Sequence, residues 1–149
     1  MNRDFAEMLR ALSDAGADFL VVGAHARAAY GDPRATKDLD IWIRPSPENA
    51  RRVWEALVAF GAPTFDLNVE DLMQPGLTFQ LGMPPYRIDI LTEITAVDFE
   101  EAWASRISAD FAGATYPVIG KAEFIRNKRA TGRPQDLVDA DHVDRSPIE

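Results

Sequence analysis

The chain has 149 residues, 46% of them hydrophobic, with no cysteine and a formal net charge of −8. That length suits one domain with a real core, the lack of cysteine excludes a disulfide framework or a thiolate metal site, and the acidity argues against a protein whose main task is to coat nucleic acid. No apolar run is long enough to cross a membrane, and the start, Met1-Asn2-Arg3-Asp4-Phe5, lacks a signal-peptide h-region, so a cytoplasmic protein with no membrane partner is expected.

In chain order, Phe5, Met8, Leu9 and Leu12 fall at helical spacing and predict an amphipathic first helix that stops at Gly16. Asp18 to Val22 reads as a short buried strand, broken by Gly23 and followed by an alanine-rich helical segment, Ala24 to Tyr30, ended by Gly31-Asp32-Pro33. A second strand follows in Lys37-Asp38-Leu39-Asp40-Ile41-Trp42-Ile43. Ser46-Pro47 is an N-cap with proline at the first helical position, leading into a helix through Ala50, Val53, Trp54, Leu57 and Val58 with Gly61 as its stop. Residues 62–75 read as irregular. Leu77 to Leu81 and Tyr86 to Leu91 predict a strand pair joined through Gly82-Met83-Pro84-Pro85. A short helix from Asp98, a hairpin of Ile107–Phe111 with Thr115–Ile119 around Gly113, and helices at about 121–130 and 134–144 complete the chain.

Three aspartates organise this pattern. In a strand residues i and i+2 share a face, so Asp38 and Asp40 point one way while Leu39, Ile41 and Ile43 point into the core. Asp89, in Arg87-Ile88-Asp89-Ile90-Leu91, would complete a three-carboxylate cluster from a neighbouring strand. Like charges that close need protonation, basic partners or a divalent cation, and the expected remedy is magnesium. The chain contains its own control: Asp139-Ala140-Asp141 has the same spacing but falls in a predicted helix, where i and i+2 do not share a face.

Other residues carry a functional and a bland reading. Gly23 is either a phosphate-side turn or simply a glycine that needs positive φ. His25 is expected to pack or cap, since nothing in the sequence orients it as a base. Arg34 and Lys37 either serve phosphate or pair locally with Asp32 or the aspartates. Residues 121–133 hold Lys121, Arg126, Lys128, Arg129 and Arg133 against Glu123, which is either a solvated helix face or a local phosphate contact. Trp42, Trp54 and Trp103 are expected in the core, although Trp42 shares the aspartate face and could stack on a base.

Val22-Gly23-Ala24-His25-Ala26, followed by Tyr30-Gly31-Asp32-Pro33-Arg34-Ala35-Thr36-Lys37-Asp38-Leu39-Asp40-Ile41-Trp42, resembles the opening of the nucleotidyltransferase superfamily of DNA polymerase beta type. Pro85 to Leu91 is similar to the strand that carries the third aspartate of that superfamily, and Asn127 to Asp139 resembles the lysine and Arg-x-x-Asp element of its AbiEii-like branch of small bacterial proteins. The resemblance implies an α+β fold, the minimal nucleotidyltransferase fold, with a mixed β-sheet flanked by helices and short C-terminal helices. It implies a single domain over 1–149, with a core of about 1–95 and a helical and hairpin extension of about 96–149. At the turn this chain has Gly23-Ala24 where many active members have Gly-Gly or Gly-Ser, so a hydroxyl that would help hold a triphosphate is missing.

The implied chemistry is transfer of a nucleoside monophosphate from a nucleoside triphosphate (NTP) to a hydroxyl, with two Mg²⁺ ions held by Asp38, Asp40 and Asp89. Asp89 would accept or orient the acceptor proton. Gly23, Ala24, Arg34, Lys37 and Lys128 are the implied nucleotide and phosphate contacts, with Arg133 and Asp136 placing the last helix beside the nucleotide. An RNA end such as tRNA, a protein hydroxyl or a small molecule are the candidate acceptors, and a toxin–antitoxin role with a cognate partner follows from the branch by analogy alone. A second reading also stands: a catalytically retired member of the fold that binds nucleotide or protein without turnover.

Overall fold

The computed structural model describes residues 1–31, 36–82 and 85–148. Helix α1 (Arg3–Asp14) begins under Asn2, whose side-chain oxygen accepts from the Asp4 and Phe5 N–H groups, and buries Phe5, Met8, Leu9 and Leu12, the four apolar positions of its sequence pattern. Strand β1 (Phe19–Val22) is buried along its length and runs into α2 (Gly23–Ala29). Strand β2 (Asp38–Ile43) alternates half-buried and buried residues at its start and is wholly buried at its end. Helix α3 (Pro47–Phe60) is bounded as its sequence requires: Ser46 accepts from the Asn49 N–H at 3.2 Å, and Gly61 closes it in the left-handed region at φ +86°.

The rest of the chain is β3 (Thr78–Leu81), β4 (Arg87–Leu91), α4 (Phe99–Ala104), β5 (Ile107–Phe111), β6 (Ala114–Val118), α5 (Lys121–Thr131) and α6 (Pro134–Arg145). One six-stranded mixed sheet has the order β3-β4-β2-β1-β6-β5, with β2–β4 and β1–β6 parallel and the other pairs antiparallel. This is the α+β architecture expected, a mixed sheet flanked by helices. Strand β6 lies beside the central β1, so the hairpin that the sequence suggests as an extension is built into the same sheet. Its two-residue turn has both central residues at positive φ, Ala112 at +52° and Gly113 at +82°, the twist that a tight hairpin needs.

The expectation of an irregular 62–75 needs one correction. Val69–Met73 forms a short 3₁₀ helix closed by a reciprocal cap, in which Asn68 accepts from the Asp71 N–H and Asp71 accepts from the Asn68 N–H. A single turn leaves too little apolar periodicity to be read from sequence, and only the Asn68-x-x-Asp71 spacing marks it.

Asn49 fastens the base of this frame. It is 2% exposed, accepts from the Asp18 N–H at 2.7 Å, and donates to the Asp18 and Arg44 carbonyls at 2.9 Å each, so one side chain joins the start of β1, the end of β2 and the first turn of α3. Replacing it takes this partner from the Asp18 N–H and the Arg44 carbonyl, while the Asp18 carbonyl keeps the Arg44 N–H at 3.3 Å. We expect Asn49→Ala to lower unfolding free energy by about 2–4 kcal/mol in urea titration, with Val58→Ala, at an exposed position of the same helix, within about 0.5 kcal/mol of wild type. Equal stabilities would remove this role from Asn49.

Candidate active site

The β2–β4 register decides where the carboxylates stand. Asp40 lies opposite Asp89 on the parallel neighbour, Asp38 lies opposite Arg87, and all four therefore share one face of the sheet. Gln80 of β3 is the register partner of Asp89 on its other side. On the β1 side Asp40 is paired with Val22, and the chain turns into α2 at the next residue. Gly23 adopts φ +66°, and a Cβ built on it would overlap the Asp40 carboxylate. Both the backbone conformation and the space above Asp40 thus exclude a side chain at this turn. Ala24 follows as a half-buried residue in the first turn of α2.

Burial and like charge act together on this group. The Asp40 carboxyl is pushed up to about 6, first by burial and then by the Asp89 and Asp38 charges, with Lys128 acting in the opposite direction. Asp89 is also raised, chiefly by burial, against the lowering effect of Arg87. Its Oδ1 is buried with no hydrogen-bond partner. Asp38 stands nearer solvent, where it accepts from Arg87 Nε at 3.4 Å. Among the described residues no three His, Cys, Asp or Glu side chains converge into a ready-made metal cage. Asp40 and Asp89 are neighbours in register, and Asp38, paired with Arg87, stands two residues along the same face, where its charge acts on both.

The remaining implied residues divide. Lys128 of α5 is 17% exposed, faces Asp136 at 3.9 Å and contributes its charge at Asp40, so the C-terminal helices do reach the aspartates. Asp136 is 4% exposed and is held by Arg133, whose Nε donates at 2.8 Å and whose backbone N–H donates at 3.3 Å. That pair depresses the Asp136 carboxyl below its ordinary range and caps α6. Lys37 is exposed, and its backbone carbonyl accepts from the Arg87 N–H at 2.9 Å. Arg34 and Asp32 lie outside the described residues.

The bland readings can be compared with the structure as well. His25 is 9% exposed and sits edge-on to Phe5 at 5.6 Å and Phe111 at 6.3 Å, a packing residue whose pKa burial lowers. Trp42 is 1% exposed and edge-on to Phe99 of α4 at 5.1 Å, so it is closed off from stacking on a base. All five cations of segment 121–133 have partners within the chain: Lys121 at the Ser146 carbonyl, Arg126 at Glu101, Lys128 and Arg133 at Asp136, and Arg129 at Asp144. Of the control motif, Asp139 is buried against Arg27 and Gln135, whereas Asp141 is exposed, as helical spacing requires.

Because Asp40 binds its proton more tightly folded than unfolded, folding is penalised progressively as pH rises from about 4 to about 6, and fully above that range. The two-unit displacement corresponds to roughly 2–3 kcal/mol. Asp40→Asn is therefore expected to melt several degrees above wild type at pH 7.5 without divalent cations, with the difference vanishing near pH 4. A lower melting temperature for Asp40→Asn at pH 7.5 would contradict this account of the site.

The sequence matches no protein-family model and no curated protein. Its structure does have relatives. The lincosamide antibiotic adenylyltransferase LnuA, in its lincomycin-bound form, superposes with a TM-score of 0.62 at 13% identity, over 97% of each chain. A Thermotoga maritima protein described as a candidate nucleotidyltransferase superposes with a TM-score of 0.57 at 15% identity, over 97% of this chain and 93% of that one. At such identities the likeness is one of fold, and the chain has the nucleotidyltransferase fold.

Proposed function

We propose that this chain is a magnesium-dependent nucleotidyltransferase that moves a nucleoside monophosphate from an NTP to a small-molecule hydroxyl. The observation that carries the reading is the juxtaposition of Asp40 and Asp89 across β2–β4 beneath a side-chain-free turn at Gly23. Nothing in the packing of a β-sheet requires two partly buried carboxylates as register partners, and here Asp89 has a buried Oδ1 without a hydrogen-bond partner and its charge raises Asp40.

The donor set fits magnesium, a hard cation that prefers carboxylate oxygens and commonly takes one or two from protein and the rest from water and substrate phosphates. A preformed three-ligand cage is not needed for that mode. Asp38 and Asp40 would hold the ion, with Asp89 sharing it; when bound, it supplies charge neutralisation at the reacting phosphate and orients the attacking and leaving oxygens. The acceptor hydroxyl attacks the α-phosphorus and forms a new O–P bond. The bond from the α-phosphorus to the bridging oxygen breaks, pyrophosphate leaves, and the hydroxyl proton passes to Asp89. A carboxyl raised by burial suits that role.

Gly23 and Ala24 would offer backbone to phosphate oxygens where the turn closes on Asp40, and Lys128 would supply positive charge there, held in place by Asp136, which Arg133 fixes in turn. Lys37 and Arg34 would add charge from the segment before β2. Two observations favour a small acceptor over RNA: the cations of 121–133 are committed to partners within the chain, and the superposable LnuA is an antibiotic adenylyltransferase with lincomycin bound.

Thermal unfolding with each of the four ribonucleoside triphosphates, with and without Mg²⁺, tests the reading. At least one NTP should raise the melting temperature only when Mg²⁺ is present, by about 2.7 kcal/mol of stabilisation at a hundred times its dissociation constant. The shift should vanish in Asp38→Asn. No response at millimolar NTP and Mg²⁺ would replace the transferase by a retired fold that works as an interaction module.

A further inference from the structure

Arg87 occupies a place in the site that the transfer chemistry above leaves unused. It opens β4 directly beside Asp38 and stands two residues before Asp89 on the same strand face. Its Nε donates to Asp38 Oδ1 at 3.4 Å, with the two side chains 45% and 43% exposed. Its own N–H donates to the Lys37 carbonyl at 2.9 Å, which pins the start of β4 to the chain entering β2 and keeps the guanidinium next to the carboxylate. Lys128, the other cation acting on the cluster, has Asp136 as its ion-pair partner and comes from the C-terminal helices. Among the described residues, Asp38 is thus the aspartate of the three with an ion pair to a cation of the fold.

We propose that Arg87 is a displaceable counter-ion of the carboxylate site: it pairs with Asp38 and must surrender it when a divalent cation binds. The inference rests on the metal-site reading of the three aspartates. An exposed, slightly long ion pair is weak, which suits a contact that opens at every binding event, whereas a buried arginine in the same position would bar the cation. The pair lies on the face that Asp38 shares with Asp40 and Asp89, so a cation bound among them competes with the guanidinium for the same oxygen.

Calorimetric titration of MgCl₂ into nucleotide-free protein tests this. Arg87→Gln should tighten Mg²⁺ binding by about two- to fivefold, the range an exposed pair can supply, while Arg87→Lys, which keeps the charge, stays near wild type. In an Asp38→Asn background the same Arg87→Gln change should tighten Mg²⁺ binding less than it does in wild type, what remains coming from the charge of Arg87 at Asp89, so the double-mutant cycle separates the direct pair from a general effect of charge or stability. Equal or weaker Mg²⁺ binding by Arg87→Gln overturns the proposal. Melting the same proteins with NTP and Mg²⁺ keeps the two readings apart. Tighter Mg²⁺ binding with no nucleotide response preserves the counter-ion and removes the transferase; a nucleotide response with unchanged Mg²⁺ affinity does the reverse. No Mg²⁺ binding by any of the nucleotide-free proteins overturns the counter-ion, and the lack of a nucleotide response as well overturns the transferase.

Discussion

The parallel pairing of β2 with β4 imposes the constraint that governs the rest of the site, because it sets Asp40 and Asp89 side by side on a partly buried sheet face with Asp38 two residues away. Core packing on the opposite face, through Leu39, Ile41, Ile88 and Ile90, fixes that register, since a slip of one residue would exchange the buried and the charged sets. The hydrophobic core therefore supplies the force that holds like charges together. The molecule answers with cations from two directions, Lys128 from the C-terminal helices and Arg87 from β4 itself, and leaves Asp40 short of full compensation. A site kept in electrostatic deficit by its own fold is one in which an added divalent cation relieves an existing penalty.

The turn at Gly23 belongs to the same arrangement. Its left-handed glycine lets the backbone approach the Asp40 carboxylate so closely that a Cβ there would overlap it. Lacking a serine hydroxyl at the next position, the proposed transferase would depend for phosphate on backbone, on Lys128 and on the cation the aspartates would gather. Asp136 matters there as well, for the Arg133 pair lowers its carboxyl and holds it beside Lys128.

Much of this was legible in the chain because short-range signals and long-range packing agree. The helix from Pro47 to Phe60 is written at both ends, by Ser46 and Gly61, and the Asp38/Asp40 alternation announces a half-buried strand. The helical Asp139/Asp141 pair shows that the two-residue spacing alone would have misled. What could not be read were interactions between residues distant in sequence. The three hydrogen bonds of Asn49 and the Arg87–Asp38 contact depend on which strands become neighbours, and Trp42 is sealed by Phe99, a residue from a later helix. The charge of segment 121–133 was visible, but not its neutralisation by Glu101, Asp136 and Asp144, which removes it as a free phosphate patch.

A crystal structure of the chain with Mn²⁺ and a non-hydrolysable NTP would test the central claim most directly, because manganese takes the same oxygen ligands as magnesium and scatters anomalously. The account predicts an anomalous peak bonded to Asp38 and Asp40, with the triphosphate under the Gly23 turn and Arg87 moved off Asp38. Manganese bound elsewhere, with the Arg87–Asp38 pair intact, would contradict it.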